Sequence, residues 1–134
     1  MLEMTWMDEA QDILHWKFSA NWTGDELLDG FDQFMVYANE RPLPPYSIID
    51  FTESTGGPKN IMSLYPQMAS RLTMPREVSR QVHTVIVIDT RYTRLIDQFL
   101  RVFTRVYGHN VSAFNTTEEA HSYLTGILQA KASS

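Results

Sequence analysis

Two stretches of this chain, Tyr46-Ser47-Ile48-Ile49-Asp50-Phe51 and Thr84-Val85-Ile86-Val87-Ile88-Asp89, decide its fold. Both are rich in β-branched residues and are almost continuously apolar, whereas a strand with one face in water alternates apolar and polar residues. A strand that is buried on both faces has this composition, and such strands are typical of parallel sheets covered by helices. We therefore predict that the two stretches lie side by side and run in the same direction.

The segments around these two stretches alternate between strand-like and helix-like patterns. Period-two alternation predicts a strand over residues 13–22, and shorter strands are expected at 2–7 and 111–114. Helical periodicity predicts four helices. The first begins at the capping box of Thr23 and Glu26, the second lies within 60–73, the third spans 91–107, and the fourth begins at Thr116. The resulting order, β-β-α-β-α-β-α-β-α, predicts an α/β fold with a single mixed, mostly parallel sheet of four or five strands, flanked by about four helices.

Length and composition bound the protein class. The chain has 134 residues, which is the size of one domain, so we expect a single domain over 1–134 with a loose tail at about 130–134. The chain has no cysteine, which excludes disulfides and thiolate nucleophiles. It has neither a run of eighteen apolar residues nor a visible secretory signal, and we therefore expect a cytoplasmic protein without a membrane span.

The charges are unevenly distributed along the chain. Residues 1–60 carry eleven acidic and three basic residues, whereas residues 61–134 carry five and eight. A net charge of −5 disfavours nucleic acid as a partner, while the imbalance suits a protein partner or self-association. On the predicted helix 91–107, Arg94, Arg101 and Arg105 line one face, which is either a basic contact face or an ordinary solvated surface.

Polar residues follow the first of the two buried strands and end the second. Asp50 and Asp89 are predicted at the carboxyl ends of these strands, where ligands bind to open α/β sheets. With Thr52, Ser54 and Thr55, they form the predicted binding edge. The two acids could hold Mg²⁺ or could cap neighbouring amide groups, and capping is the favoured interpretation.

The sequence indicates no catalytic residue, metal site or cofactor. It contains neither a Gly-x-Ser-x-Gly elbow nor a phosphate-binding glycine loop. Its four histidines are scattered without metal-ligand spacing, so structural roles are expected for His15, His83, His109 and His121.

The order of elements and three stretches resemble the STAS domain, and more closely the stand-alone SpoIIAA-like group. The first stretch is the strand 47–52 with the Ser54-Thr55-Gly56 segment after it. The second is the strand 85–89, which is followed by a long helix. The third is the ending 111–124, where a short strand closes on Phe114 before Glu118-Glu119-Ala120. The resemblance covers about residues 12–128.

This resemblance implies a small non-enzymatic binding or regulatory module that acts through protein contacts. In the anti-anti-sigma branch of the family, a serine in an Asp-Ser-Ser/Thr-Gly motif at the start of a helix is phosphorylated. The nearest match here is Glu53-Ser54-Thr55-Gly56, so Ser54 and Thr55 are the candidate phosphoacceptors. The match departs from the family pattern because it begins with Glu, follows Asp50-Phe51-Thr52 directly and precedes a Gly-Gly-Pro turn.

Two other functions stay open at this stage. One is a carrier for a small apolar or anionic ligand, held between the sheet and the 60–73 segment, because the chain is rich in aromatic residues and Met. The other is an enzyme that uses Asp50 or Asp89, which lacks an identifiable nucleophile or metal shell.

Overall fold

A computed structural model describes the backbone of residues 1–89, 93–108 and 110–133, and their side chains except those of 93–96. Within these residues, five strands form one sheet in the order β1-β2-β3-β4-β5. The outer strand β1 is antiparallel to β2, and the other neighbouring pairs are parallel, so the mixed, mostly parallel α/β sheet is confirmed. The strands are Leu2–Trp6 (β1), Ile13–Asn21 (β2), Tyr46–Gly56 (β3), Thr84–Val87 (β4) and Val111–Phe114 (β5).

The two apolar stretches pair as predicted. Ile48 lies opposite Val85 and Ile49 lies opposite Ile86 in a parallel register. Both strands are buried over their shared length, because residues on alternate positions enter opposite cores. This central pair therefore forms the middle of the sheet, with helices on both of its faces.

Strand β3 continues well beyond the point where the sequence predicts its end. It runs to Gly56 and pairs with the end of β2 through two register shifts. The prediction that Asp50 ends this strand is therefore wrong, because Asp50 lies in the middle of β3. Polar residues after Phe51 suggested a turn, but β2 supplies them with hydrogen-bonding partners along its whole length.

The helices are Gly24–Asn39 (α1), Tyr65–Arg71 (α2), Arg76–Ser79 (α3), Thr93–Tyr107 (α4) and Thr117–Ser133 (α5). A 3₁₀ turn, Ile61–Leu64, leads into α2, where Pro66 occupies the first turn. The capping box of Thr23 and Glu26 begins α1 as predicted. The last helix extends through residues 130–133, which the sequence suggested as a tail, and Lys131 Nζ donates to the carbonyl of Gln81 at 3.1 Å.

The three longer crossover helices cover one face of the sheet. Parallel strands that follow each other in spatial order, joined by right-handed crossovers, place their connecting helices on the same face. Accordingly Phe31 of α1, Met68 of α2 and Phe103 of α4 share one core with Trp16 of β2. On the opposite face, α5 is the helix that packs among the described residues, where Ala120 and Leu124 meet β3 and β4.

The helix α5 packs on β3, β4 and β5, and beyond Ile13, which is buried in the same core, the β1–β2 part of this face is only partly covered. Glu3 and Thr5 of β1 are exposed there, opposite Lys17 and His15 of β2. This polar half-face explains the alternating sequence of β2, which has one side in the core and the other near water.

One residue of β2 departs from its predicted side. Alternation places Ala20 on the packed face, but the residue is exposed and its backbone φ is 55°. The register shift between Ala20 and Asn21 turns the strand there, so the period-two pattern no longer assigns the sides correctly.

Candidate functional site

A cleft of about 370 Å³ opens beyond the carboxyl ends of β3 and β4, on the face covered by α4. The extended end of β3 and the Gly57-Pro58 turn form one side, Ile88 and Asp89 after β4 form another, and Phe99 of α4 closes the third. Ligands bind to open α/β sheets at this edge. The cleft is therefore the candidate functional site, and its lining residues, 22, 51, 52, 54–58, 88, 89 and 99, are called the carboxyl-edge cleft.

The apolar part of the carboxyl-edge cleft is the end of an aromatic stack. The ring of Phe51 stacks on Phe99 at 4.6 Å between centroids and on Phe18 at 5.0 Å, and Trp22 lies 5.4 Å away at a tilt. All four rings are buried in the main core. Their mutual contacts hold the floor of the cleft in a fixed shape.

Glycine allows the end of β3 to pass close over Trp22. A Cβ atom on Gly57 would lie 2.7 Å from Cε2 of Trp22, and one on Gly56 would lie 2.8 Å from Oδ1 of Asn21. Both distances are shorter than van der Waals contact, so a side chain at either position requires a neighbour to move. The Gly-Gly sequence that predicted a turn therefore also fits the wall of the cleft against the indole ring.

Hydrogen bonds within the chain fix the polar groups of the carboxyl-edge cleft. Trp22 Nε1 donates to Ser54 Oγ at 2.9 Å, and Ser54 Oγ donates to the carbonyl of Gly56 at 3.1 Å. The hydroxyl of Thr52 donates to Asp50 Oδ1 at 2.6 Å. Ser54 is half-buried, whereas Thr52 and Thr55 are exposed. The side-chain donors of Trp22, Thr52 and Ser54 are thus all engaged within the protein.

The structure gathers four residues of the predicted binding edge and separates the fifth. Thr52, Ser54, Thr55 and Asp89 line the cleft together. Asp50 is not a lining residue, because it faces the side of α5. The register shift between Asp50 and Glu53 interrupts the alternation of β3, so the residues after it can line the cleft although Asp50 does not. Asp50 belongs to a different group of side chains.

Asp50 is the centre of a polar cluster between β2, β3 and α5, which we call the Asp50 cluster. Its Oδ2 atom lies 2.9 Å from His15 Nε2 and accepts from Thr117 Oγ1 at 3.3 Å. Its Oδ1 atom accepts from the backbone N–H of Thr52 at 2.8 Å and from the Thr52 hydroxyl. The side chain of Asp50 is only 5% exposed, so these contacts replace its hydration.

The environment of the Asp50 cluster favours the ionised carboxylate. Burial by itself raises the pKa of Asp50, but the hydrogen bonds from His15 and Thr52 lower this pKa to about 2. The carboxylate therefore connects two strands and the start of the last helix at neutral pH. The sequence predicts that Asp50 caps a loop or helix amide, whereas the amide that it accepts from is that of Thr52 within β3, and its other contacts are with side chains.

The sequence did not predict the pairing of His15 with Asp50. Period-two alternation puts His15 on the side of β2 opposite to the core-facing Trp16, as observed, but the side toward which Asp50 points depends on the exact register of β3. Two features of the sequence could have indicated the pair. His15 and Asp50 lie on strands that are expected to be neighbours, and each is next to a core-facing residue, Trp16 or Ile49, so both side chains point to the other face of the sheet.

The predicted basic face lies on α4, away from the sheet. Arg101 and Arg105 are exposed, and the guanidinium of Arg105 lies 5.4 Å from the centroid of Tyr65 in α2. The backbone of α4 includes Arg94, but the side chain of Arg94 lies outside the described residues. None of the described residues that line the carboxyl-edge cleft is Arg, Lys or His.

The described histidines occupy three separate environments. His15 belongs to the Asp50 cluster, and His83 packs against Tyr46 and Tyr123, where burial and the charge of Lys131 lower its pKa. His121 lies on α5, and His109 lies outside the described residues. Among the residues that the structure describes, no three His, Asp or Glu side chains are close enough to hold a metal ion.

In the part of the chain that the structure describes, no helix has the length and apolar character needed to cross a membrane. Comparison with models of protein families gives no match for this chain, and comparison with curated proteins gives none either. The resemblance to STAS domains therefore depends on the sequence patterns and the order of elements alone.

Proposed function

We propose that the protein is a small non-enzymatic binding module and that the carboxyl-edge cleft is its recognition site. The observation that supports this proposal is the cleft itself. In it, the polar residues Thr52, Ser54 and Thr55 of β3 lie near Asp89, which follows β4, beside a buried aromatic floor. An apolar surface with a few fixed polar groups is the usual composition of small-molecule sites.

The size of the cleft favours a small ligand. About 370 Å³ is near the lower end of the range for such sites, which begins at about 300 Å³. The sequence placed a ligand beside the 60–73 segment, but none of the residues that line this cleft belongs to that segment. We therefore propose a carrier or sensor whose ligand lies at the end of β3.

A second candidate is the cytoplasmic regulatory module that the resemblance to STAS proteins implies. The exposure of Thr55 at the rim of the cleft supports it, since a kinase needs an accessible hydroxyl. Ser54 is a poorer phosphate acceptor than Thr55, because its hydroxyl group is already held by one hydrogen bond that it accepts and one that it donates. We propose that any phosphate is placed on Thr55, where about two negative charges would change the rim.

The first candidate is tested by NMR with ¹⁵N-labelled protein and a library of small aromatic compounds. We expect the compounds that bind to shift the amide signals of residues 52–57, 88 and 89. Thr55→Trp should prevent binding, because a large ring at the exposed rim blocks the entrance without entering the core. Thr5→Trp, on an exposed strand position of the opposite face, is the matched control and should bind normally. Shifts confined to other surfaces would contradict the proposal.

The regulatory candidate is tested by incubation with cellular kinases and by mass spectrometry of the products. Phosphate on Thr55, lost in Thr55→Ala and kept in Ser54→Ala, would support it. A protein partner recovered with the native chain should also be lost from Thr55→Asp and kept by Thr5→Asp. The absence of both modification and partner loss would exclude the switch.

A further inference from the structure

The outer strand β1 is an open edge of the sheet, and a groove with acidic residues runs beside it. We propose that this edge binds an extended segment of a basic partner protein, which adds to the sheet as a further strand next to β1. The proposed surface consists of β1 and of the groove residues Glu26, Asp29, Gly30 and Gln33 of α1, and we call it the β1 edge. None of these residues lines the carboxyl-edge cleft, so the inference is independent of that site.

The backbone of β1 directs one row of hydrogen-bonding groups away from the sheet. The carbonyl of Met1 accepts from the N–H of Ser19 at 2.8 Å, and the N–H of Met7 donates to the carbonyl of Ile13 at 2.9 Å. Odd-numbered residues of β1 therefore pair with β2. Because these groups point to alternate sides along a strand, those of the even-numbered residues point to the open side.

Two of the even-numbered residues are available to a partner. The N–H of Leu2 donates to the carboxylate of Glu26, whereas the backbone groups of Met4 and Trp6 make no hydrogen bond on the open side with any residue that the structure describes. Edge strands are normally protected by Pro, Lys or a bulge. The strand β1 contains neither Pro nor Lys, and its register with β2 has no shift. Met4 and Trp6 therefore offer both donors and acceptors to an added strand.

The groove beside these backbone groups suits long side chains. It has a volume of about 330 Å³ and lies between β1 and α1. The half-buried side chains of Leu2 and Met4 line it and rest on the main core. Alternate side chains of an added strand would enter this groove, where the methylene groups of Lys or Arg can cover Leu2 and Met4.

The charges around the β1 edge favour a basic partner. Residues 1–41 carry nine acidic residues and two basic ones. Of the two basic residues, Lys17 pairs with Glu53 at 2.6 Å, and Arg41 lies 5.2 Å from the ring centroid of Trp6. None of the described residues that line the groove is Lys, Arg or His. A basic segment would therefore meet an excess of negative charge along this edge.

Within the groove, Asp29 is the acidic group that a partner can pair with. Glu26 is already occupied, because it accepts from the N–H of Thr23 at 2.8 Å and lies 3.3 Å from the N-terminal amine. On the next turn, Asp32 pairs with Arg71 at 2.6 Å. The carboxylate of Asp29 is exposed and makes neither a hydrogen bond nor an ion pair with the part of the chain that the structure describes.

A second copy of this chain fits the β1 edge less well. Pairing of β1 with the β1 strand of another copy would bring together two segments that each carry nine acidic and two basic residues. Like charges that meet across an interface oppose association. We therefore expect the protein on its own to leave this edge unpaired.

The charge of the partner is tested by NMR titration of the intact ¹⁵N-labelled protein with two synthetic heptapeptides. One alternates threonine and arginine, and the other alternates threonine and glutamate, so the two differ mainly in the sign of their charge. At about 0.15 M NaCl, we expect the arginine peptide to bind about tenfold more tightly than the glutamate peptide. It should shift the amide signals of residues 2–6 and 26–33.

Hydrogen exchange separates the addition of a strand from contacts of side chains alone. In the free protein, the amides of Glu3 and Thr5, which pair with β2, should exchange more slowly than those of Met4 and Trp6. A saturating concentration of the arginine peptide should slow exchange at Met4 and Trp6 by about tenfold or more. Binding without this protection would overturn the proposed strand addition.

Two pairs of variants locate the contacts. Met4→Pro removes an N–H that faces solvent, which edge strands tolerate, and Met4→Ala removes the same side chain but keeps the N–H. The arginine peptide should bind Met4→Pro about fivefold more weakly than Met4→Ala. Asp29→Asn should weaken binding about threefold. Asp25→Asn removes an equal charge from an exposed residue of α1 outside the groove and should change binding little.

Each other outcome overturns the proposal. Equal binding of the two peptides, or equal effects of Asp25→Asn and Asp29→Asn, would show that the groove does not select a basic partner. If Met4→Pro does not fold, the exchange rates and the Asp29 pair decide. Protection of Met4 and Trp6 in the free protein that is lost on dilution would identify a second copy as the occupant. The absence of any shift at the β1 edge would leave the carboxyl-edge cleft as the proposed site and remove this one.

Discussion

The Nε2 atom of His15 lies 2.9 Å from Oδ2 of Asp50, which connects β2 to β3 on the face of the sheet opposite to the carboxyl-edge cleft. The same carboxylate oxygen accepts from Thr117 in the first turn of α5. Helix α5, which covers this face among the residues that the structure describes, is thus held at its start by a buried charge. Four contacts from three elements meet at Asp50, so changes there should affect the whole domain.

Replacement of Asp50 by asparagine should destabilise the fold. The amide keeps one acceptor oxygen but places an NH₂ group among the donors of His15, Thr52 and Thr117. We expect a loss of about 1–3 kcal/mol in the free energy of unfolding, measured with urea. The control is Glu53→Gln, which breaks the ion pair of Glu53 with Lys17. Both of those side chains are at least 40% exposed, so about 0–1 kcal/mol should be lost. Equal losses in the two variants would contradict the central role of Asp50.

Acid should weaken the protein in a defined range of pH. The pKa of Asp50 is about 2 in the folded state and near 3.8 when the chain is unfolded, so its ionisation stabilises the fold above pH 3.8. This contribution should be lost as the pH falls from about 4 to about 2. Urea unfolding at a series of pH values checks it, and the loss should be smaller in Asp50→Asn. An identical acid profile for the variant and the wild type would show that another group is responsible.

Replacement of two helical glycines by alanine should change the stability of the protein in opposite directions. Gly126 of α5 has open space around it, so Gly126→Ala should stabilise the protein by about 0.5–1 kcal/mol through helix propensity. At Gly30 of α1, a Cβ would lie 2.9 Å from Cδ2 of Leu2 and 3.0 Å from Cζ3 of the buried Trp16. Gly30→Ala should therefore destabilise by about 1 kcal/mol despite the better propensity. Thermal unfolding of both variants measures the difference, and stabilisation by Gly30→Ala would show that α1 does not pack this closely.

The hydroxyl of Ser54 should be needed to hold Trp22. Ser54→Ala removes the acceptor of the indole N–H and should cost about 1–2 kcal/mol in the free energy of unfolding. The Nε1–H signal of Trp22 should also move in the NMR spectrum. Ser54→Thr keeps the hydroxyl and suits a strand, so it should leave both quantities nearly unchanged. An unchanged indole signal in Ser54→Ala would mean that this hydrogen bond is not formed in solution.

The sequence predicted those parts of the fold that depend on local pattern. The β-branched character of 46–51 and 84–89 was sufficient to predict a buried parallel pair, and Thr23 with Glu26 was sufficient to place the start of α1. The four-residue helix α3 was not predicted, because it is a single turn without a buried residue of its own.

The details of the site depend on register, which the sequence does not specify at irregular positions. Polar residues after Phe51 concealed the continuation of β3, and the shifts between β2 and β3 decide which side chains face the cleft. Thr52, Ser54, Thr55 and Asp89 were grouped correctly because strand ends meet at one edge. Asp50 was grouped with them because the strand appeared to end there, and the aromatic floor formed by distant residues had no local signal.

The spatial order of the strands, which is also their order in the sequence, has a consequence for synthesis on the ribosome. Each new strand can pair with the strand that was synthesised just before it, and each crossover helix can pack on strands that are already paired. The face of the sheet under α5 is different, because it is covered only after this seventeen-residue helix has been synthesised. A nascent chain that stops before Thr117 would therefore expose Ile48, Val85 and Val87 to chaperones until α5 has been made and has docked.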